Sequence, residues 1–363
     1  MTITGTVDAV LVPRKRSTTA EGFLTTSGTW IVNARGEVVV LRGADFRGLH
    51  VSDPSLWRKY HTETDYQTMH DWGFNVVRLQ IFWSNIETTK GVYNEAYLEQ
   101  IDRDIGWAKK YGIFVVLDMH QYNWNTKWVG AGAPDWVVAG YPSTEEGRMM
   151  AVGDFWKSQE LRASFVNMWK YVASRYSKET TVAGYDLLNE PWTMFDRSKT
   201  SRPELWSTIK AFYEQVIDGI RAVDSNHIVF VDPWPVEASS VSPVVRSNLV
   251  WAPHFYAWYL YGKPYSPSNA SYVESDLRSL YDRIVVDLRQ PLWIGEFGME
   301  MGIQGSDIWT ADCIALFQKY GLGWAWWCYW KSSEPDMYLL NKDGTPRTYF
   351  LQYLVNPQVT VTQ

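Results

Sequence analysis

The run Gly184-Tyr185-Asp186-Leu187-Leu188-Asn189-Glu190-Pro191-Trp192 changes character half-way along. Residues 182–188 are short and mostly apolar, the pattern of a strand buried on both faces. Asn189 and Glu190 are polar, and Pro191 ends the ladder because it has no N–H to donate. The spacing therefore puts a carboxylate at the C-terminal lip of a buried strand. Alone, such a glutamate reads equally well as a helix cap or a solvated strand end. Pro291-Leu292-Trp293-Ile294-Gly295-Glu296-Phe297-Gly298 repeats the arrangement: an apolar strand, a glutamate, a glycine-marked turn.

The stretches between these two alternate in the same way. Strands are expected at residues 41–46, 75–80, 113–118, 182–188, 228–231, 249–252, 291–296 and 323–329. Helical stripes are expected at residues 97–110, 161–176, 204–223, 272–288, 307–320 and 347–354. Short buried strands followed by helices need parallel crossovers with helices outside. The fold expected is an α/β (β/α)8 TIM barrel. A β-hairpin at residues 29–40 leads into the barrel or plugs its bottom. Residues 1–22 lack periodicity and read as a disordered or extended arm. Residues 23–363 read as a single catalytic domain.

Composition narrows the class. In 363 residues, 46% are hydrophobic and 20% charged, which suits a large core and argues against disorder. A net charge of −6 argues against a nucleic-acid partner. Aromatic residues make up 16%, with 21 Trp and 22 Tyr. Rings with polar tips in such number suit stacking on the C–H faces of sugars as well as a packed core. Cys313 and Cys328 show no zinc or redox spacing, and a disulfide between them is left open. The first 20 residues lack the apolar segment of a signal peptide, and no apolar run is long enough for a membrane span.

In such a barrel, chemistry sits at the C-terminal strand ends. The residues converging there are Arg78, His120, Asn189, Glu190, His254, Tyr256, Glu296 and Trp330. Two strand-end carboxylates are what glycoside hydrolysis needs: one protonates the leaving oxygen, the other attacks the sugar carbon or activates water. Arg78 beside Glu296 would hold that carboxylate ionised, and Tyr256 could donate to it. Glu190 needs a raised pKa, to which the charge of Glu296 would contribute. Taken singly, His120 and His254 read as core histidines, Arg78 as a structural ion-pair partner and Trp330 as core. Two long aromatic connections, residues 121–160 and 255–269, would rise over the same face. The first carries Trp124, Trp128, Trp136 and Trp156. Trp124, four residues beyond His120, is expected to stack on a sugar away from the cleavage point.

The Leu-Leu-Asn-Glu-Pro and Ile-Gly-Glu-Phe-Gly motifs resemble glycoside hydrolase family 5, the cellulase family of retaining (β/α)8 barrels. The resemblance runs from about Gly28 to about Tyr349. It implies Glu190 as acid/base and Glu296 as nucleophile. It further implies Arg78, His120, Asn189, His254, Tyr256 and Trp330 as the surrounding substrate-site residues. Asp45 departs from the pattern, which often has asparagine there. His120-Gln121, Asn189-Glu190-Pro191-Trp192 and Gly132-Ala133-Pro134-Asp135-Trp136 resemble the endoglycoceramidase-like branch. That branch usually adds a C-terminal β-sandwich, for which this chain leaves no room. The implied activity is an endo-β-1,4-glucanase acting on a polysaccharide or oligosaccharide. The alternatives are a glycolipid or β-mannan hydrolase, or a non-catalytic carbohydrate-binding barrel. No cofactor or metal is called for, since two carboxylates suffice. The protein is expected to be monomeric and secreted.

Overall fold

A computed structural model describes residues 22–48, 61–196, 199–233, 242–257 and 262–355. The arm expected at residues 1–22 therefore lies, apart from Gly22, outside the described residues, as do Trp258, Tyr259 and Tyr261 of the second long connection. Two short strands open the fold: β1 (Thr25–Ser27) pairs antiparallel with β2 (Trp30–Val32). The expected hairpin continues from β2 around residues 33–37, where the Asn33 side chain accepts from the amides of Arg35 and Glu37. It closes with the Val39 amide donating to the Ile31 carbonyl at 2.9 Å.

The barrel strands follow in chain order. They are β3 (Arg42–Phe46), β4 (Val76–Ile81), β5 (Phe114–Met119), β6 (Val182–Asp186), β7 (Ile228–Val231), β8 (Leu249–Trp251), β9 (His254–Phe255), β10 (Trp293–Phe297) and β11 (Gly323–Tyr329). All pair parallel, in the order β8-β7-β6-β5-β4-β3-β11-β10-β9. Eight staves result from these nine strands, because β8 and β9 are one stave interrupted at Ala252-Pro253. Proline cannot donate to the ladder, so the stave breaks there. The neighbouring hydrogen bonds nonetheless close the ring. Trp251 donates to the Pro291 carbonyl and Gly295 to the Pro253 carbonyl, both at 3.0 Å.

The strands are buried on both faces, as their unbroken Val, Ile and aromatic content requires. Helices α1 (Glu63–Asp71), α2 (Trp83–Ile86), α3 (Glu95–Tyr111), α4 (Asp135–Val138), α5 (Glu145–Lys157), α6 (Gln159–Tyr176), α7 (Arg202–Arg221), α8 (Ala270–Tyr281), α9 (Ser306–Lys319) and α10 (Thr348–Leu354) lie outside. Helix α3 shows why they start and stop where they do. Asn94 caps it by accepting from the Tyr97 amide, and Gly112 ends it at φ +66°, a conformation glycine adopts without strain.

The interior of the barrel forms its own apolar cluster. Val76, Phe114, Ala183, Ile228 and Trp293 from the strands meet Leu24, Ile31 and Val39 from the N-terminal hairpin. The hairpin is therefore the bottom plug, held by side-chain burial worth about 1.5–3 kcal/mol for each large residue. The sequence-based choice between plugging and merely leading into the barrel resolves to plugging. Cys313 and Cys328 are both buried free thiols. Among the described residues, no helix is long and apolar enough to cross a membrane.

Candidate active site

The polar ends of the strands gather around one buried guanidinium. Arg78, on β4, is 0% exposed. Its Nη1 donates to Asp45 Oδ1 at 2.8 Å and to Glu296 Oε1 at 2.7 Å. Its Nε donates to Asp186 Oδ2 at 2.9 Å, and its Nη2 to Asn189 Oδ1 at 3.0 Å. Nη2 also forms an ion pair with Asp118 Oδ1 at 2.9 Å. Parallel register brings these groups together: Asp45 sits opposite Arg78 on β3, and Asp118 opposite Asp186 on β5 and β6. Sequence reasoning paired Arg78 with Glu296 alone. Asp45 was noted only as a departure from the family pattern, and Asp118 and Asp186 were missed because they sit inside the apolar runs, although an acidic residue in a buried strand was the available signal.

Glu296, one residue before the end of β10, pairs with His254 of β9. Arg78 holds one of its oxygens, and Tyr256 Oη donates to the other at 3.0 Å. His254 Nδ1 lies 2.9 Å from Glu190 Oε1 and 3.4 Å from Glu296 Oε2, so one ring nitrogen faces both glutamates. Ligand atoms of Glu190, His254 and Glu296 all lie within 4.8 Å of one another. These three are the described group that could hold a metal ion. The guanidinium beside Glu296 opposes a second cation there, and His254 Nδ1 is already committed.

Glu190 reaches this cluster by a strained route. Its backbone is left-handed, at φ +42°, uncommon for a residue with a side chain. Gln121 secures the turn by donating to the carbonyls of Asn189 and Glu190 and to Thr193 Oγ1, at 2.8–3.2 Å. Thr193 Oγ1 in turn donates to the Glu190 carbonyl at 2.8 Å. Sequence reasoning named Gln121 only within a family motif, with no role, and did not name Thr193. Burial raises the Glu190 pKa, opposed by the Arg78 guanidinium. Desolvation is the largest cause. The side chain still keeps 24% exposure at the lip, enough for a ligand to reach it.

His120 is neutral: burial lowers its pKa to about 3. Its Nδ1 meets Asp118 Oδ2 at 2.7 Å and its Nε2 meets Gln80 Nε2 at 3.2 Å. Its ring stacks nearly parallel on Trp327, with 5.5 Å between centroids and 13° between planes. Trp327, half-buried on β11, was not picked out from the aromatic run that contains it. Trp330 is also half-buried, and the Arg47 guanidinium lies 5.8 Å from its ring centre.

Trp124 requires a correction. It is only 1% exposed and packs against Phe155 at 4.8 Å and Trp83 at 6.1 Å. A ring so enclosed cannot stack on a sugar. Left-handed backbone at Asn123 and Trp124, φ +49° and +67°, turns the chain inward just after His120. Trp128 and Trp156 are likewise buried in the fold of this connection. Tyr122, by contrast, is 62% exposed.

Comparison with known proteins agrees with this geometry. The profile for Cellulase (glycosyl hydrolase family 5) matches residues 32–333. The chain belongs to glycosyl hydrolase family 5. An endoglycoceramidase of Cyanea nozakii is 27% identical over 54% of this chain and 48% of its own length. The family 5 chain described here thus spans about half the length of that relative. Endoglucanase C of Acetivibrio thermocellus is 24% identical over 84% of this chain and 94% of its own. Endo-glycoceramidase II from Rhodococcus sp. superposes with a TM-score of 0.76 at 25% identity, covering 90% of this chain and 80% of the other. Membership of this family carries the coarse reading, an O-glycosyl hydrolase.

Proposed function

We propose that the chain is a retaining, endo-acting β-glycosidase in which Glu190 is the acid/base and Glu296 the nucleophile. One observation carries the reading: one carboxyl oxygen of Glu190 lies within 4.8 Å of one carboxyl oxygen of Glu296. Retaining enzymes hold their carboxyl groups about 5–5.5 Å apart, whereas inverting ones leave about 6.5–9.5 Å for a water. Glu190, whose pKa burial raises, gives its proton to the leaving oxygen as Glu296 attacks the anomeric carbon. The C–O bond to the leaving group breaks and an ester to Glu296 forms. Glu190, now a carboxylate, takes a proton from water as the water's oxygen displaces Glu296. Arg78 and Tyr256 hold both oxygens of Glu296 in place for attack and departure. Trp327 joins Trp330 as a candidate platform for the reacting sugar, with His120 bracing it from behind. Asn189, His254 and Tyr256 line the same site.

Variants separate the two glutamates. Glu190→Ala should spare the first step on aryl glycosides with very good leaving groups, which need little protonation. Glu296→Ala should abolish formation of the glycosyl-enzyme on every substrate, with rescue by azide giving a product of inverted configuration. Equal loss by both variants on activated and natural substrates would overturn the assignment. NMR of the first-formed anomer from the native protein tests retention directly.

Two substrate classes have support. The match to Endoglucanase C over nearly its whole length favours a β-1,4-glucan. The likeness to endoglycoceramidases in sequence and structure favours a glycan linked to a lipid. Both present a β-linked sugar to the same carboxylate pair. Side-by-side assay on carboxymethylcellulose and a ceramide-linked glycan separates them. A polysaccharide substrate would imply secretion, and a secreted location is proposed with that reading.

A further inference from the structure

The charges around Arg78 do not balance if every neighbour is ionised. Asp45, Asp118, Asp186 and Glu296 all contact this one guanidinium, and the three aspartates are 0% exposed. Fully ionised, the cluster would hold four negative charges against one positive. Buried carboxylates without a compensating partner are strongly disfavoured, and in practice they take up a proton. The remaining described neighbours do not supply the missing positive charge. Burial lowers His254 to about 4 and His120 to about 3, leaving both neutral near pH 7. Tyr256 and Cys328 are pushed upward and stay protonated. Glu190 can only add negative charge. Arg47, which influences His120 and Cys328, lies against Trp330.

Geometry distinguishes among the four. Glu296 has donors on both oxygens, Arg78 and Tyr256. Asp118 faces Arg78 with one oxygen and His120 with the other. Asp186 has an Arg78 nitrogen, Nε, to itself and lies apart from Glu296 on the guanidinium, although its Oδ1, like Asp45 Oδ2, is buried with no hydrogen-bond partner among the described residues. Asp45 must share Nη1 with Glu296, which places the two carboxyls side by side. Its second oxygen, Oδ2, is buried with no hydrogen-bond partner among the described residues. An ionised Asp45 would therefore set a poorly matched anion against the nucleophile.

We propose that Asp45 works as a neutral carboxylic acid, its proton leaving the charge of Arg78 to Glu296. Asp45 is on this reading a positioning residue: it accepts from Arg78 through Oδ1 and carries its proton on Oδ2. The inference rests on Glu296 being the nucleophile. Burial, reinforced by the charge of Glu296, pushes Asp45 well above the usual carboxylate range despite Arg78. Asp186 and Asp118 rise less, to about 6 and about 7.

The test compares Asp45→Asn and Asp45→Ala with the native protein, reading Tm against pH and kcat/KM on an aryl β-glycoside with a good leaving group. A group whose pKa is raised on folding stabilises the fold below its unfolded value, about 4, and that contribution is lost as pH rises through the folded value. Asparagine has no proton to lose. The Tm of Asp45→Asn should therefore gain on the native protein by several degrees as pH rises from about 5 to about 9. Its kcat/KM near pH 6 should stay within about threefold of native, with the acidic limb of the profile unmoved. Asp45→Ala, which removes the acceptor for Arg78, should lose about tenfold or more. The proposal is overturned if Asp45→Asn shifts the acidic limb down by about a unit, as removal of a negative charge beside Glu296 would do. It is equally overturned by a Tm difference that does not change with pH. A native protein inactive on every glycoside would remove the nucleophile reading, and the Tm series would still decide whether Asp45 holds a proton.

Discussion

Two tryptophans within one sequence show how a residue's surroundings set its role. Trp124 and Trp327 are both large rings near His120. Trp327 lies flat against it at the mouth, whereas Trp124 turns away into Trp83 and Phe155. Truncating a fully enclosed ring leaves a cavity, and Trp→Ala costs about 3–5 kcal/mol. Trp124→Ala should therefore lower Tm markedly, and any surviving folded protein should lose activity equally on long and short substrates. A selective loss on long oligosaccharides with Tm intact would return the ring to the cleft. Trp124 Nε1 has no hydrogen-bond partner among the described residues, so Trp124→Phe gives up no bond and should cost much less than the alanine.

Strands carry the site, and close backbone approach fixes their spacing. A Cβ built on Gly43 of β3 would stand 1.7 Å from the Val76 carbonyl oxygen of β4. That oxygen belongs to the backbone and cannot swing aside. Gly43→Ala should force the two strands apart, moving Asp45 away from Arg78. The expected result is a fall in Tm together with a lower kcat/KM, measured by calorimetry and by turnover of an aryl glycoside. Unchanged values of both would mean that β3 has room to slide. The same strands explain what sequence could and could not reveal. Polar residues at the lip, Glu190, Glu296, Arg78 and His254, stood out because each ends or interrupts an apolar run. The pairing of Asp45, Asp118 and Asp186 on one guanidinium did not, because parallel register joins strands far apart in sequence. The inward turn at Trp124 was invisible for a related reason. It depends on left-handed backbone at two residues, Asn123 and Trp124, neither of which is a glycine.

Across the whole molecule, the two ends of the barrel are built for different purposes. At the bottom, Asp224 just ahead of β7 accepts from Tyr185 Oη at 2.7 Å and from His227 Nδ1 at 2.5 Å. Burial alone would raise its pKa, but these donors outweigh burial and hold it at about 2. A lowered carboxylate stabilises the fold above its unfolded value, about 3.9, and that contribution disappears as pH falls through the folded value. Asp224→Asn should thus cost about 2–3 kcal/mol near neutral pH, with the deficit shrinking toward pH 2. Its kcat/KM at a permissive temperature should match the native value, because nothing at the mouth is touched. A large catalytic loss without a change in Tm would contradict this division. Arg78, near the other end, has a consequence of a different kind. A guanidinium bonded through Nε and both Nη atoms cannot spin about its Cζ–N bonds as a solvated one does. Its N–H protons, shielded from water, should give separate, slowly exchanging signals in a nitrogen-15 spectrum. Strands β3, β5, β6 and β10 each hold one of its partners, so those signals would form a built-in gauge of barrel closure, legible without any substrate.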